Sequence, residues 1–375
     1  TIIIIFITEK RLGISETNWN KISSVRNRKD KVTGAVVTPI YLSAAYAHPG
    51  LGESTGFDYT RTKNPTRTIL EEGLCELEEG CCAIATSSGM SAIQLVFELF
   101  DLHSEFLVSR DLYGGSFRYF DELERKGQQN FVYFTDENDL ENKVTENTTA
   151  IYIETPTNPL MQEVSIERIS KIAKSKGALL IVDNTLLTPL RQKPLTLGAD
   201  IVIHSGTKYL TGHNDILAGV VVTNDEKIGE RLAWLSNTTG AVLSAFDSWL
   251  FIRSLKTLPL RFNQQEKNAK QLAETLKSHP NVKEVLYPNK GAMLSFKLVD
   301  ASKVDKFLRS LKVATFAESL GGVETLVTYP TTQTHFDIPE DLRLSYGLTP
   351  DLLRISVGIE SVDDLIEDFK NALDS

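Results

Sequence analysis

Between Cys82 and Thr223 seven short apolar runs recur, at 82–86, 106–109, 131–134, 150–154, 178–182, 200–203 and 218–223. Amphipathic stretches of helical length separate several of them, notably 89–100, 115–126, 165–176 and 225–235. Runs this short are strands buried on both faces, and the stretches between them are the helices that cover those faces. The pattern predicts an α/β domain built on a largely parallel sheet. It then changes. A long helical stretch from Phe246 to Ser278 is interrupted near Pro259, and strand candidates follow at 282–286, 292–299, 324–328 and 353–357, with helices at 302–311 and 361–373. This reads as a smaller α+β unit. With 375 residues, more than one core usually serves, the chain divides into an extension and arm (1–65), a large domain (66–250) and a C-terminal small domain (251–375).

A formal net charge of -9 argues against general affinity for nucleic acid or an anionic membrane surface. Cys75, Cys81 and Cys82 lie too close together for a disulfide framework and lack zinc-ribbon spacing, so reduced thiols and a cytoplasmic protein are expected. The six histidines form no HxxxH or HxH pair, and no metal is expected. Ile2 to Ile7 is too short to span a bilayer and lacks the basic flank of a signal peptide. Residues 1–30 are read as an extension.

Chemistry-bearing residues gather where the apolar runs end. Lys208 lies in His204-Ser205-Gly206-Thr207-Lys208-Tyr209, directly after run 200–203. A lysine in a turn is ordinarily a solvated charge. Here Ser205 and Thr207 precede it with hydroxyls suited to phosphate oxygens, at the sheet edge where α/β folds place ligands. An amine held there can lose its proton and form a Schiff base. Asp183 closes run 178–182; it is either an N-cap or the carboxylate that a pyridoxal ring nitrogen requires. Thr86 to Ile93 joins a strand to a helix through small residues, exposing backbone N–H groups that can cradle a phosphate, although many such turns look alike. Tyr113-Gly114-Gly115 follows the next strand and is either a plain turn or an aromatic cover for a flat cofactor.

In that order these parts resemble the aspartate-aminotransferase-like (fold type I) class of pyridoxal-phosphate enzymes. Longer strings narrow the likeness: Tyr59-Thr-Arg61-Thr-Lys-Asn64-Pro65-Thr66-Arg67, Ser87-Ser88-Gly89-Met90, Glu154-Thr-Pro-Thr-Asn158-Pro159, Asp183-Asn184-Thr185, Ser319-Leu-Gly-Gly-Val-Glu324 and Arg354-Ile-Ser-Val-Gly-Ile-Glu360. They resemble the cystathionine γ-synthase/lyase family across residues 31–375. Thr33 to Ser43 and Thr328 to His335 are most similar to its bacterial cystathionine γ-synthase/O-acetylhomoserine thiolyase branch. The resemblance implies pyridoxal 5'-phosphate as cofactor, held covalently by Lys208, which also relays protons. Asp183 then pairs with the ring nitrogen, and Tyr113 stacks on the ring and assists proton transfer. Gly89, Met90, Ser205 and Thr207 bind the phosphate. Tyr59 and Arg61 reach in from a second copy, which implies a homo-oligomer, a tetramer built from dimers that share active sites. Arg354 clamps the substrate α-carboxylate, with Ser319 and Asn158 beside it; Asn158 also serves the cofactor. Arg118 and Glu324 are candidates for the distal part of the substrate.

Two positions depart from the family pattern, Leu186 where phenylalanine is common and Gly206 where a larger residue stands. Amino-acid substrates follow from the resemblance. The leading expectation is γ-replacement in methionine biosynthesis: cysteine displaces the acyl group of an activated homoserine ester, acetyl by resemblance to the nearest branch, giving cystathionine, and sulfide in place of cysteine gives homocysteine. Elimination, as in cystathionine β- or γ-lyases, uses nearly the same residues. Methionine γ-lyase is disfavoured because Ser116 stands where that branch carries cysteine. A silent relative is disfavoured by the joint presence of Lys208, Asp183 and Arg354.

Overall fold

The computed structural model describes residue 30 and residues 32–375. The extension expected over residues 1–30 lies almost wholly outside the described residues. The chain runs as a largely exposed, irregular arm to Asn64, whose side chain accepts from Thr66 N at 2.9 Å and Arg67 N at 3.3 Å. That cap, with Pro65 at the first helical position, starts the helix Pro65–Glu78. No sequence expectation covered this helix, because its apolar spacing follows an arm rich in turn residues.

Seven strands then build the first sheet: β1 (Cys82–Thr86), β2 (Glu105–Ser109), β3 (Asn130–Phe134), β4 (Thr148–Glu154), β5 (Leu179–Asp183), β6 (Ile201–Ser205) and β7 (Gly219–Thr223). Their order is β1-β7-β6-β5-β4-β2-β3. Each expected run is a strand, shifted by at most two residues at an end. The sheet is mixed: β7 runs antiparallel to both β1 and β6, while the other neighbours pair in parallel. The reason lies in the connections. Residues 206–218 turn back without a crossover helix, and a parallel return needs one. That same short return carries Lys208.

The helices Ala245–Leu255 and Leu258–Lys277 follow, broken where Pro259 enters the second one's first turn. The boundary expected near residue 250 falls inside the first of these helices; the longer second one carries the chain over to the second sheet. This sheet comprises β8 (Val282–Leu286), β9 (Met293–Leu298), β10 (Thr315–Phe316), β11 (Leu326–Thr328) and β12 (Leu352–Ser356), in the order β10-β11-β12-β9-β8. One apolar core runs from Leu70 on the first helix through Val202 and Phe262 to Phe296 and Phe369, so the two sheets share buried contacts. Among the described residues, no helix is long and apolar enough to cross a membrane.

Candidate active site

β1, β4, β5 and β6 all point their carboxyl ends at one edge of the first sheet, and a cavity of about 390 Å³ opens there against the second sheet. The site lies where the chain, having started at one edge of the sheet with β1, fills it inward from the other side, a switch point at which α/β folds bind ligands. The cavity wall includes Gly89, Met90, Tyr113, Asn158, Asp183, Ser205, Thr207, Lys208, Ser319 and Arg354.

Lys208 sits in the return between β6 and β7, and its Nζ donates to Ser319 Oγ at 2.9 Å. Burial, followed by the Arg354 guanidinium, lowers its amine from 10.5 to about 8. A lysine poised there is neutral in a sizeable fraction at ordinary pH, as Schiff-base chemistry requires. Ser319 itself has φ of 94° and is not glycine, a costly backbone conformation retained where its two oxygens meet two functional side chains. Its carbonyl accepts from Arg354 Nη2 at 2.8 Å.

Arg354, on β12, is fully buried. Nη1 donates to Asn158 Oδ1 at 3.0 Å and Nη2 also donates to Thr328 Oγ1 at 2.8 Å, while Nε has no protein partner. Burial pulls the guanidinium down to about 10, still charged at neutral pH. A buried, charged donor left over is expensive unless an acceptor arrives, and a substrate carboxylate is such an acceptor.

Asp183 ends β5. Thr185 N donates to its Oδ1 at 3.0 Å, and Tyr152 OH donates to Oδ2 at 3.4 Å. Burial raises its carboxyl, which the Thr185 hydrogen bonds and nearby His204 counteract. Glu154, in register with Asp183 on β4, takes Tyr113 N on both oxygens at 3.0 and 3.1 Å. Burial and the Asp183 carboxylate push the Glu154 carboxyl well up. The carboxylate thereby fixes Tyr113 at the head of the helix Gly114–Arg125.

Gly89 opens the helix Gly89–Phe97, capped by Ser88 Oγ on Ser91 N at 3.0 Å. A Cβ at Gly89 would lie 2.8 Å from the Ser205 Cβ, so only glycine leaves this helix start open beside Ser205. Thr185 Oγ1 accepts from Ser205 N at 2.8 Å, and Thr207 Oγ1 takes Ala218 N at 3.0 Å, which orient both hydroxyl-bearing residues. Gly206 departs from the family pattern for a visible reason: a Cβ there would come within 2.6 Å of the Phe251 ring. Leu186, the other departure, lines the cavity.

The structure gathers most of the expected residues but not all. Arg118 lies outside the cavity wall, one helical turn beyond Gly114, paired through Nη1 with Asp337 Oδ2 at 2.8 Å. Glu324 is also outside, accepting from Asn214 Nδ2 at 2.8 Å. Tyr59 and Arg61 stand away from their own chain's cavity, the guanidinium 5.4 Å from the Tyr59 ring centroid. Sequence reasoning gave no role to Glu154 and Thr185, though both stood in the family-like strings, nor to Tyr152, Glu318 and Thr334. Glu154 had a signal, since it ends an apolar strand as Asp183 does. Tyr152 had none, being one aromatic among apolar neighbours.

The residues present fit a flat phosphorylated pyridine with an aldehyde: an amine lowered to about 8, a carboxylate at a strand end, and a helix start that a side chain would close. Comparison with known proteins agrees. The family described as Cys/Met metabolism PLP-dependent enzyme matches residues 21–374. A cystathionine gamma-synthase/O-acetylhomoserine (thiol)-lyase of Bacillus subtilis is 56% identical over 355 residues, 94% of this chain and 95% of that protein. A cystathionine gamma-lyase of the same organism is 46% identical, covering 92% of this chain and 96% of that protein. The structure of cystathionine gamma synthase from Xanthomonas oryzae pv. oryzae, in complex with aminoacrylate and cysteine, superposes with a TM-score of 0.94 at 37% identity, over 96% of this chain and 98% of that one. With a lysine, an aspartate and an arginine converging on one cavity of a fold type I scaffold, and with likeness running nearly end to end, the chain belongs to the pyridoxal-phosphate-dependent enzymes of cysteine and methionine metabolism.

Proposed function

We propose that the protein catalyses γ-replacement on an activated homoserine ester, O-acetylhomoserine, with cysteine as the incoming thiol. The acyl group leaves Cγ as a carboxylate, the cysteine sulfur bonds to the same carbon, and cystathionine results; sulfide in place of cysteine gives homocysteine. Pyridoxal phosphate, when bound, supplies an electron sink for negative charge that develops at the substrate Cα. The chain supplies the rest. Lys208, with its amine near 8, holds the cofactor and can both take and return a proton at adjacent carbons. Asp183 serves the ring nitrogen, Tyr113 covers the ring, and Gly89, Met90, Ser205 and Thr207 serve the phosphate. Arg354, steadied by Asn158 and Ser319, binds the α-carboxylate through its unused Nε and its outward face.

The observation that carries replacement over elimination is the higher likeness to the Bacillus subtilis synthase/thiol-lyase, 56% against 46% for the γ-lyase. Glu318 on the wall adds a carboxylate suited to the ammonium group of a second amino acid. Elimination from cystathionine is the second reading, favoured by the shared lysine, aspartate and arginine. The test incubates the loaded enzyme with O-acetylhomoserine plus cysteine, and separately with cystathionine alone. Cystathionine from the first mixture is expected. Pyruvate or 2-oxobutyrate from the second, without synthesis in the first, overturns the proposal.

The assembly is part of the same reading. The arm leaves Val36, Leu42 and Leu51 exposed, and Tyr59 and Arg61 face away from their own cavity. A second copy covering the arm would bury the former and take the latter into its site.

A further inference from the structure

Tyr152 sits where phenylalanine would pack as well. Its ring is fully buried in an aromatic cluster, edge-on to Phe120 with centroids 5.4 Å apart and 6.2 Å from Phe97. A buried phenol needs a partner, and this one donates to Asp183 Oδ2. Thr185 N donates to the other oxygen, Oδ1, at 3.0 Å. Each oxygen of Asp183 therefore carries a donor from the protein, one from β4 and one from its own turn.

Four groups bear on the Asp183 charge. Glu154, aligned with it on β4, shares the same buried space, and its own carboxyl is the one that burial and Asp183 push well up. His204 lies on neighbouring β6, bonded through Nε2 to Glu78 Oε1 at 2.5 Å. Thr185 and Tyr152 are the direct donors. Burial works against the anion, and the Thr185 and Tyr152 donors, with His204, work for it.

We propose that Tyr152 is a positioning residue of the cofactor site: its phenol orients Asp183 and holds it ionised, so that the pyridine nitrogen of the bound cofactor stays protonated. This rests on Asp183 serving that nitrogen. The role belongs to the hydroxyl, not to the ring.

Tyr152→Phe removes only the hydroxyl and keeps the packing. Two readouts are taken, the dissociation constant of pyridoxal phosphate by fluorescence titration of stripped protein and the pH midpoint of the visible band of the loaded protein. The bond is long, so the dissociation constant is expected to rise by about three- to fivefold. The band midpoint is expected to move to higher pH, because a pyridine nitrogen with less positive charge repels the proton on the Lys208 nitrogen less. The same substitution is made in an Asp183→Ala background, where it should change the dissociation constant no further. Unchanged values in Tyr152→Phe, or an equal change with and without Asp183, overturn the proposal. If Asp183→Ala alone moves neither readout, the assignment of Asp183 itself fails.

Discussion

At the residue scale the site works through what burial does to charge. Lys208 loses part of its affinity for a proton because water is excluded and Arg354 stands near. The consequence can be measured on protein stripped of cofactor. Uptake of pyridoxal phosphate should rise with pH to half its maximum near 8, where an ordinary lysine would still be mostly charged. A stopped-flow series that keeps rising towards 10.5 would show that the amine is not depressed. This was only partly legible beforehand. The turn 204–209 pointed to Lys208, but a pKa depends on neighbours from distant segments, and Arg354 lies 146 residues further along the chain.

At the scale of elements, a buried side chain helps to tie the segment after β11 to the loops that follow β2 and β4. His335 is fully buried; its Nε2 faces Asn158 O at 3.2 Å and Leu112 O at 3.3 Å, and its Nδ1 meets Thr334 Oγ1 at 2.8 Å. One ring nitrogen donating to carbonyls and the other accepting from a hydroxyl describes a neutral imidazole, and burial holds the ring down to about 4. The sign follows from linkage. Below about 6.5 the unfolded chain takes up a proton that the folded one refuses, so this residue makes stability fall as pH drops from there towards 4, on the order of 3 kcal/mol in all. His335→Asn should flatten that part of the curve when urea midpoints are compared at pH 7 and pH 4.5. Equal acid sensitivity in both proteins would rule out this contribution of His335. The residue stood inside the string Thr328 to His335, quoted as a likeness, yet its contacts on Leu112 and Asn158 come from tertiary packing.

At the scale of the molecule, the cavity exists only because two sheets close on it. Asp183 and Lys208 come from the first, Arg354 from the second, and one core joins them. The arm adds the expectation of a third contributor, a second copy. Sedimentation of the loaded protein should give at least a dimer, and Leu42→Asp with Leu51→Asp should lower the assembly state together with activity. A fully active monomer would remove any role for Tyr59 and Arg61 in a partner's site.

The run of short apolar segments determined the first sheet nearly strand by strand, since burial on both faces forces an apolar stretch of strand length whatever surrounds it. The strings around Lys208, Asp183 and Arg354 likewise determined the cofactor, because each group's chemistry is local to its side chain. The direction of β7, the start of the helix Pro65–Glu78 and the places of Arg118 and Glu324 outside the cavity were decided only in three dimensions. So was Tyr152, whose hydroxyl has meaning only beside Asp183. These depend on which segments meet, and residues far apart in the chain settle that by packing against one another rather than by any pattern within a single segment.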